Sequence, residues 1–140
     1  MRRVARPGAL LAWIGYLPLT LAHPDLQQAL EHFRTVTLAP WWAPSCAWVD
    51  TAYRTLPFPA REEPFPSDLW IERHWTLPEL IAHLGTTSAV QRSRGDGLDL
   101  LSPLQESLEP LWPGQGSEAL VLRWPFMGRW GTLPPAAPAA

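Results

Sequence analysis

Seventeen of the 140 residues are proline, against an average usage of about 5%, and this constrains the fold more than any other feature. Proline lacks a backbone N–H and fixes φ near −65°, so it ends or kinks helices and is kept out of the middle of a sheet. Long uninterrupted helices are therefore excluded. Nine tryptophans pull the other way, because large flat side chains need a core or a pocket. With 46% apolar residues in a length typical of one domain, a packed core is within reach and disorder is not the default.

Charge removes several function classes. Eleven basic residues, every one of them arginine, stand against 13 acidic ones, for a net charge of −2. No basic cluster exists to hold a phosphate backbone or an anionic membrane, so neither nucleic acid nor membrane is an expected partner. Cys46 is alone, which rules out an internal disulfide and a zinc ribbon and favours a cytoplasmic location. His23, His32, His74 and His83 lack ligand-type spacing, so no metal site is expected.

The N-terminal segment has two readings. Arg2 and Arg3 before the apolar run Gly8 to Ala22 resemble a secretory signal ending at Thr20-Leu21-Ala22, although Pro7 and Pro18 interrupt it. Alternatively, Arg6-Pro7-Gly8 is a turn and Ala9 to Tyr16 a strand apolar on both faces. Such strands belong to parallel sheets covered by helices, each neighbour reached by a crossover. With only two further strand candidates downstream, the sheet is incomplete, which places Met1 inside a larger domain.

Further along, His23-Pro24-Asp25 opens a helix with Leu26, Leu30, Phe33 and Val36 on one face. From about 38 to 66 the pattern dissolves into a Pro/Trp-rich insertion, read as a long loop whose aromatics argue for function. Leu69 to Trp75 alternates as a half-buried strand, and Thr76-Leu77-Pro78-Glu79 is a capping box before the stripe Leu77, Leu80, Ile81, Leu84. Ser102-Pro103 starts another helix, ended by Gly114-Gln115-Gly116. Leu120 to Phe126 is a third strand, placed near an edge because Pro125 has no ladder donor. Residues 132–140 read as a disordered Pro/Ala tail.

Catalytic motifs are absent. No GxGxxG opens a helix after a strand, Ser45 and Ser88 lack a GxSxG context, and Glu62 and Glu63 point apart as neighbours on an extended segment. The aromatic group Trp41, Trp42, Trp48, Tyr53 and Phe58, with Arg54 and Arg61, has two readings: a small-molecule pocket whose arginines pair a carboxylate, or a core beneath a loop.

Longer strings carry a resemblance. Arg2-Arg3-Val4-Ala5-Arg6-Pro7-Gly8-Ala9-Leu10-Leu11-Ala12 resembles the segment that leads into the fifth sheet strand of class I S-adenosylmethionine (SAM)-dependent methyltransferases. Trp41-Trp42-Ala43-Pro44 with Val49-Asp50-Thr51-Ala52-Tyr53-Arg54-Thr55-Leu56-Pro57-Phe58-Pro59, and Trp75-Thr76-Leu77 followed by Leu84-Gly85-Thr86-Thr87-Ser88-Ala89-Val90-Gln91-Arg92, are similar to the methyltransferase type 11 group that includes trans-aconitate methyltransferase-like proteins. Leu122-Arg123-Trp124-Pro125-Phe126 resembles that group's closing strand. Thr87, Ser45-Cys46-Ala47 and Ser93 depart from its pattern.

The resemblance implies an α/β fold: the C-terminal part of a Rossmann-like class I methyltransferase sheet, three strands plus helices, incomplete. Residues 1–131 would be that portion, without the glycine loop and acidic residue that hold the cofactor. The implied function is SAM-dependent methyl transfer to a small molecule, a carboxylic acid being one candidate, by a chain inactive on its own. SAM would be the cofactor of the complete enzyme, with none bound by this chain alone, and a second chain could supply the missing N-terminal half. Trp13, Tyr16, Trp41, Trp42, Tyr53, Arg54 and Arg92 are the expected substrate-side residues; no catalytic residue is assigned. A non-catalytic module binding a small molecule or a partner is the alternative.

Overall fold

The computed structural model describes residues 5, 6 and 8–134. Arg2, Arg3, Val4 and Pro7 of the family-like segment, and 135–140 of the Pro/Ala tail, lie outside the described residues. The described residues fall into two compact units built from non-contiguous segments: those up to 18, 45–71 and those from 124 on, and residues 19–44 and 72–123.

In the first unit, β1 (Leu10–Tyr16) pairs antiparallel with residues 126–132 of β5 (Leu120–Thr132), from Leu10 opposite Thr132 to Tyr16 opposite Phe126. The short β3 (Arg61–Glu63) also pairs antiparallel with β5, at Trp130 to Thr132. Because residues 130–132 serve both ladders, β5 lies between β1 and β3. This corrects two expectations. The described neighbour of β1 is antiparallel, and β5 is an interior strand despite Pro125. The proline is tolerated because it falls just past the β1 ladder, where its carbonyl still accepts the Leu17 N–H at 2.8 Å.

Glycine makes the close approach on β5 possible. A Cβ at Gly131 would collide with the Arg61 carbonyl, and one at Gly128 with the Trp13 carbonyl and the Phe65 ring. The strand also runs past the expected end at Phe126. Thr132 closes it, and Leu133, only 6% exposed, exchanges backbone hydrogen bonds with Gly8 and Ala9. The first part of the expected tail is therefore placed.

The second unit carries most of the apolar core. In α1 (Pro24–His32), Pro24 occupies the first turn, where its missing N–H is harmless, and Asp25 faces the positive helix end. Leu26, Leu30 and Phe33 are buried as the spacing predicts, but Val36 is 57% exposed. The reason is a π-helical turn over Phe33–Thr37. Its wider winding rotates Val36 off the face and brings Leu38, 2% exposed, into the core instead.

Three further helices complete that core. In α3 (Leu77–Leu84), Glu79 accepts the Thr76 N–H at 2.8 Å and the Thr76 hydroxyl at 2.9 Å, which holds its carboxyl below the ordinary value of 4.5. Burial pushes the His83 imidazole below its ordinary 6.5. Helix α4 (Ser88–Gly95) was not legible as a helix, because SAVQRSRG has no apolar stripe; Ala89, Val90 and Ser93 are nevertheless buried. Helix α5 (Leu101–Leu108) starts earlier than Ser102-Pro103 predicts, since Asp99 accepts the N–H groups of Leu101 and Ser102. Two-residue β2 (Thr20–Leu21) pairs with Leu122 and Arg123, and β4 (Trp70–Trp75) also pairs with β5. The strands number five among the described residues, not three.

The segment 38–66 is not one loop. It contains a 3₁₀ turn at Ala39–Trp41, helix α2 (Cys46–Asp50), tight turns and β3. Among the described residues no helix is long and apolar enough to cross a membrane.

Candidate functional site

The half-buried face of β1 carries Trp13 and Gly15; the opposite face, with Leu10, Ile14 and Tyr16, is exposed. Alternation of side chains along a strand separates the two sets. Trp13 and Tyr16, both expected on the substrate side, thus point to different faces. Tyr16 remains 51% exposed.

Trp13 sits in an aromatic cluster. Its ring meets Phe58 edge-on at 5.0 Å and Tyr53 edge-on at 6.3 Å, the geometry favoured by the ring quadrupoles. Gly15 makes room beneath Tyr53: a Cβ there would come within 2.9 Å of the Tyr53 oxygen and 2.8 Å of the Met127 methyl, so both side-chain ends would have to shift.

Tyr53 reaches this place through an unusual backbone. After α2, Ala52 and Tyr53 are both left-handed, with φ of 49° and 60°. Each such L-residue costs roughly 1–2 kcal/mol. The Tyr53 N–H is held by the Trp48 carbonyl at 2.7 Å, and its own carbonyl accepts the Leu56 N–H at 3.1 Å.

Arg129 of β5 closes the cluster. Its guanidinium lies 4.7 Å from the Phe58 ring centre and 5.9 Å from that of Trp13. Nε and Nη2 donate to the two oxygens of Glu62, at 3.0 and 2.6 Å; Nη1 donates to the carbonyls of Leu56, at 2.6 Å, and Tyr53, at 3.3 Å. This two-pronged bond is the strong form of an arginine–carboxylate pair. It holds the Glu62 carboxyl below its ordinary 4.5, and it raises Arg129 in turn. Arg54, at 70% exposure, touches Glu62 at only 4.0 Å.

Neither partner is legible in the sequence. Glu62 reads as a solvated loop acid, and Arg129 lies 67 residues further along the chain. The arginine that meets the aromatic cluster is Arg129, not Arg54 or Arg61, and the carboxylate it pairs is internal. Only the pairing of β3 with β5, which sets Glu62 opposite Gly131, brings the two together.

Trp41, Trp42 and Arg92 belong to the second unit. Arg92 donates to the Trp41 carbonyl at 2.6 Å, the Trp41 indole donates to Asp96 at 2.9 Å, and the Trp42 indole to the Arg34 carbonyl at 2.9 Å. Of the seven expected residues, the first unit brings Trp13 and Tyr53 together, with Arg54 reaching toward Glu62 and Tyr16 on the opposite face of β1, and the second joins Trp41 to Arg92. Also in the second unit, a groove of about 580 Å³ lies between α1 and α5, floored by Phe33 and Leu104 and rimmed by Asp25 and His32. Among the described residues no group of three or more His, Cys, Asp or Glu could hold a metal ion.

No family model matches the chain. No curated protein matches it either. A solved structure does: a protein from Anaeromyxobacter dehalogenans provisionally assigned as a type II methyltransferase is 34% identical and superposes with a TM-score of 0.82. The match takes in 96% of this chain and 57% of that one. The chain therefore has a methyltransferase-like mixed α/β fold and spans little more than half the length of the protein it resembles.

Proposed function

We propose that the chain is the acceptor-side portion of a SAM-dependent methyltransferase, acting on a small molecule. The observation that carries this reading is the 34% identity to the Anaeromyxobacter dehalogenans protein across nearly the whole chain. Support from the residues comes from the order of the family-like segments, from Arg2 to Phe126, and from their trans-aconitate methyltransferase-like text between Trp41 and Arg92.

The described residues do not fit a cradle for the methyl donor. Such a cradle is a glycine turn between a strand and a helix. The turn after β1 runs Leu17-Pro18-Leu19, and the glycines with positive φ, at 8, 97, 114 and 116, lie elsewhere. We therefore assign donor binding to the part of the enzyme that this chain does not match, and route no step through these residues. The exposed apolar face Leu10, Ile14 and Tyr16 is the seat we propose for that part, in the same chain or a second one.

What the acceptor side contributes is positioning. A nucleophile held in line and shielded from water needs little further help. The acceptor class we propose is a small carboxylic acid, because Arg54, next to Tyr53 in the sequence, presents a largely exposed guanidinium that only approaches Glu62, at 4.0 Å. Equilibrium dialysis of the chain with radiolabelled SAM tests the division of labour. We expect no saturable binding; stoichiometric binding would overturn it.

A further inference from the structure

We propose that Arg129 is a positioning residue: it clamps the left-handed turn at Ala52–Tyr53 and so aims the Tyr53 hydroxyl across Gly15, as the group that meets the acceptor. The identity of what the hydroxyl meets rests on the methyl-transfer reading; the clamp does not.

Three observations converge on it. First, two consecutive left-handed residues without glycine persist only where their surroundings over-determine them, and such strain gathers at functional sites. Arg129 supplies that determination, since one of its nitrogens donates to the carbonyl of Tyr53, the second left-handed residue, and to that of Leu56, whose N–H the Tyr53 carbonyl accepts. Second, four of the five Arg129 N–H groups are engaged, two by Glu62 and two by the carbonyls of Tyr53 and Leu56, which leaves no pair of donors for a two-pronged bond to a ligand carboxylate. It acts through Tyr53, not on the substrate. Third, Tyr53 is half-buried with its ring edge-on to Trp13, and its hydroxyl lies over Gly15, where an added Cβ would come within 2.9 Å of it. A polar atom placed at an aromatic cluster in this way is suited to a ligand.

Only two tyrosines, Tyr16 and Tyr53, are present, so the 140-residue chain labelled with 3-fluorotyrosine gives two ¹⁹F resonances, assigned by Tyr53→Phe. Arg129→Gln should move the Tyr53 resonance toward that of the free amino acid and leave Tyr16, on the opposite face of β1, in place. Glu62→Gln, which loosens the clamp without removing it, should move Tyr53 the same way by less. Arg129→Lys should not restore the native position, since an ammonium cannot form the planar two-pronged bond. A Tyr53 resonance unmoved in both glutamine variants overturns the proposal. So does joint collapse of both resonances in both variants, because the pair would then be a general scaffold. Titrating the native chain with citrate, a small carboxylic acid, reads the second half: a saturable shift of Tyr53 alone supports the hydroxyl as the acceptor contact. No shift up to solubility overturns that contact, while the variants still decide the clamp.

Discussion

Arg129 and Glu62 face each other across the pairing of β5 with β3, joined by two hydrogen bonds of 3.0 and 2.6 Å. The pair sits where large apolar burial is scarce. Most fully buried aliphatic side chains, Leu26, Leu77, Leu80, Leu108 and Leu122 among them, belong to the other unit. Aromatic edges and one charge-assisted fork hold the turn around Tyr53 in their stead.

Acid should loosen this unit through Glu62. Its carboxyl is depressed in the folded chain, chiefly by the Arg129 hydrogen bond, so the unfolded chain binds the proton more readily. The contribution is complete above the ordinary 4.5 and fades as pH falls through the lower folded value. Denaturant midpoints measured between about pH 7 and about pH 3 should fall less steeply in Glu62→Gln than in the native chain. Equal slopes would remove Glu62 from the account.

Gly131→Ala should destabilise by about 1–3 kcal/mol, since its Cβ has nowhere to go but into the Arg61 carbonyl. Gly95→Ala, with open space around the new methyl at the end of α4, should be neutral or stabilising by up to about 1 kcal/mol. Urea unfolding of the two variants checks the contrast.

The π-helical turn makes a prediction that an ideal helix would not. Leu26→Ala, at a fully buried site, should cost about 2–5 kcal/mol. Val36→Ala should change stability by less than about 0.5 kcal/mol, because the turn has rotated Val36 outward. A loss of more than about 1 kcal/mol at Val36 would return it to the core face.

How much of this was legible in the sequence follows from what each signal requires. Local signals read well: the start of α1 at Pro24-Asp25, the capping box at Thr76 and Glu79, and the strand at Leu10–Tyr16 all lie within a few residues of their cause. Non-local pairing did not. Apolar residues on both faces of β1 imply burial on both, yet they say nothing about the direction of its neighbour, and Leu10 and Ile14 are exposed. Pro125 reads as an edge residue from its missing N–H alone, but the β1 ladder stops one residue away, at Phe126, where that N–H is not needed. For the site, the Pro/Trp-rich stretch marks Tyr53 and Phe58 but groups them with Trp41 and Trp42, which lie in the other unit, whereas their actual partner Trp13 comes from β1. The Arg129–Glu62 half was not visible, because a strand pairing of high sequence separation brings it together.

Alone in solution, the chain should self-associate or bind a hydrophobic dye through the face of β1 that carries Leu10, Ile14 and Tyr16. Leu10→Glu with Ile14→Glu should reduce both effects in sedimentation velocity and dye fluorescence. A native chain that is a soluble monomer with one sharp melting transition would count against an unmet partner on this face.

The most direct test of the central claim is complementation. The chain is mixed with the part of the Anaeromyxobacter dehalogenans protein outside the matched 57%, and transfer of tritiated methyl from SAM to a panel of small carboxylic acids is followed by organic extraction. We predict extractable label from the mixture and none from either part alone. Label from this chain alone, or no label from a mixture whose parts co-elute, would contradict the account.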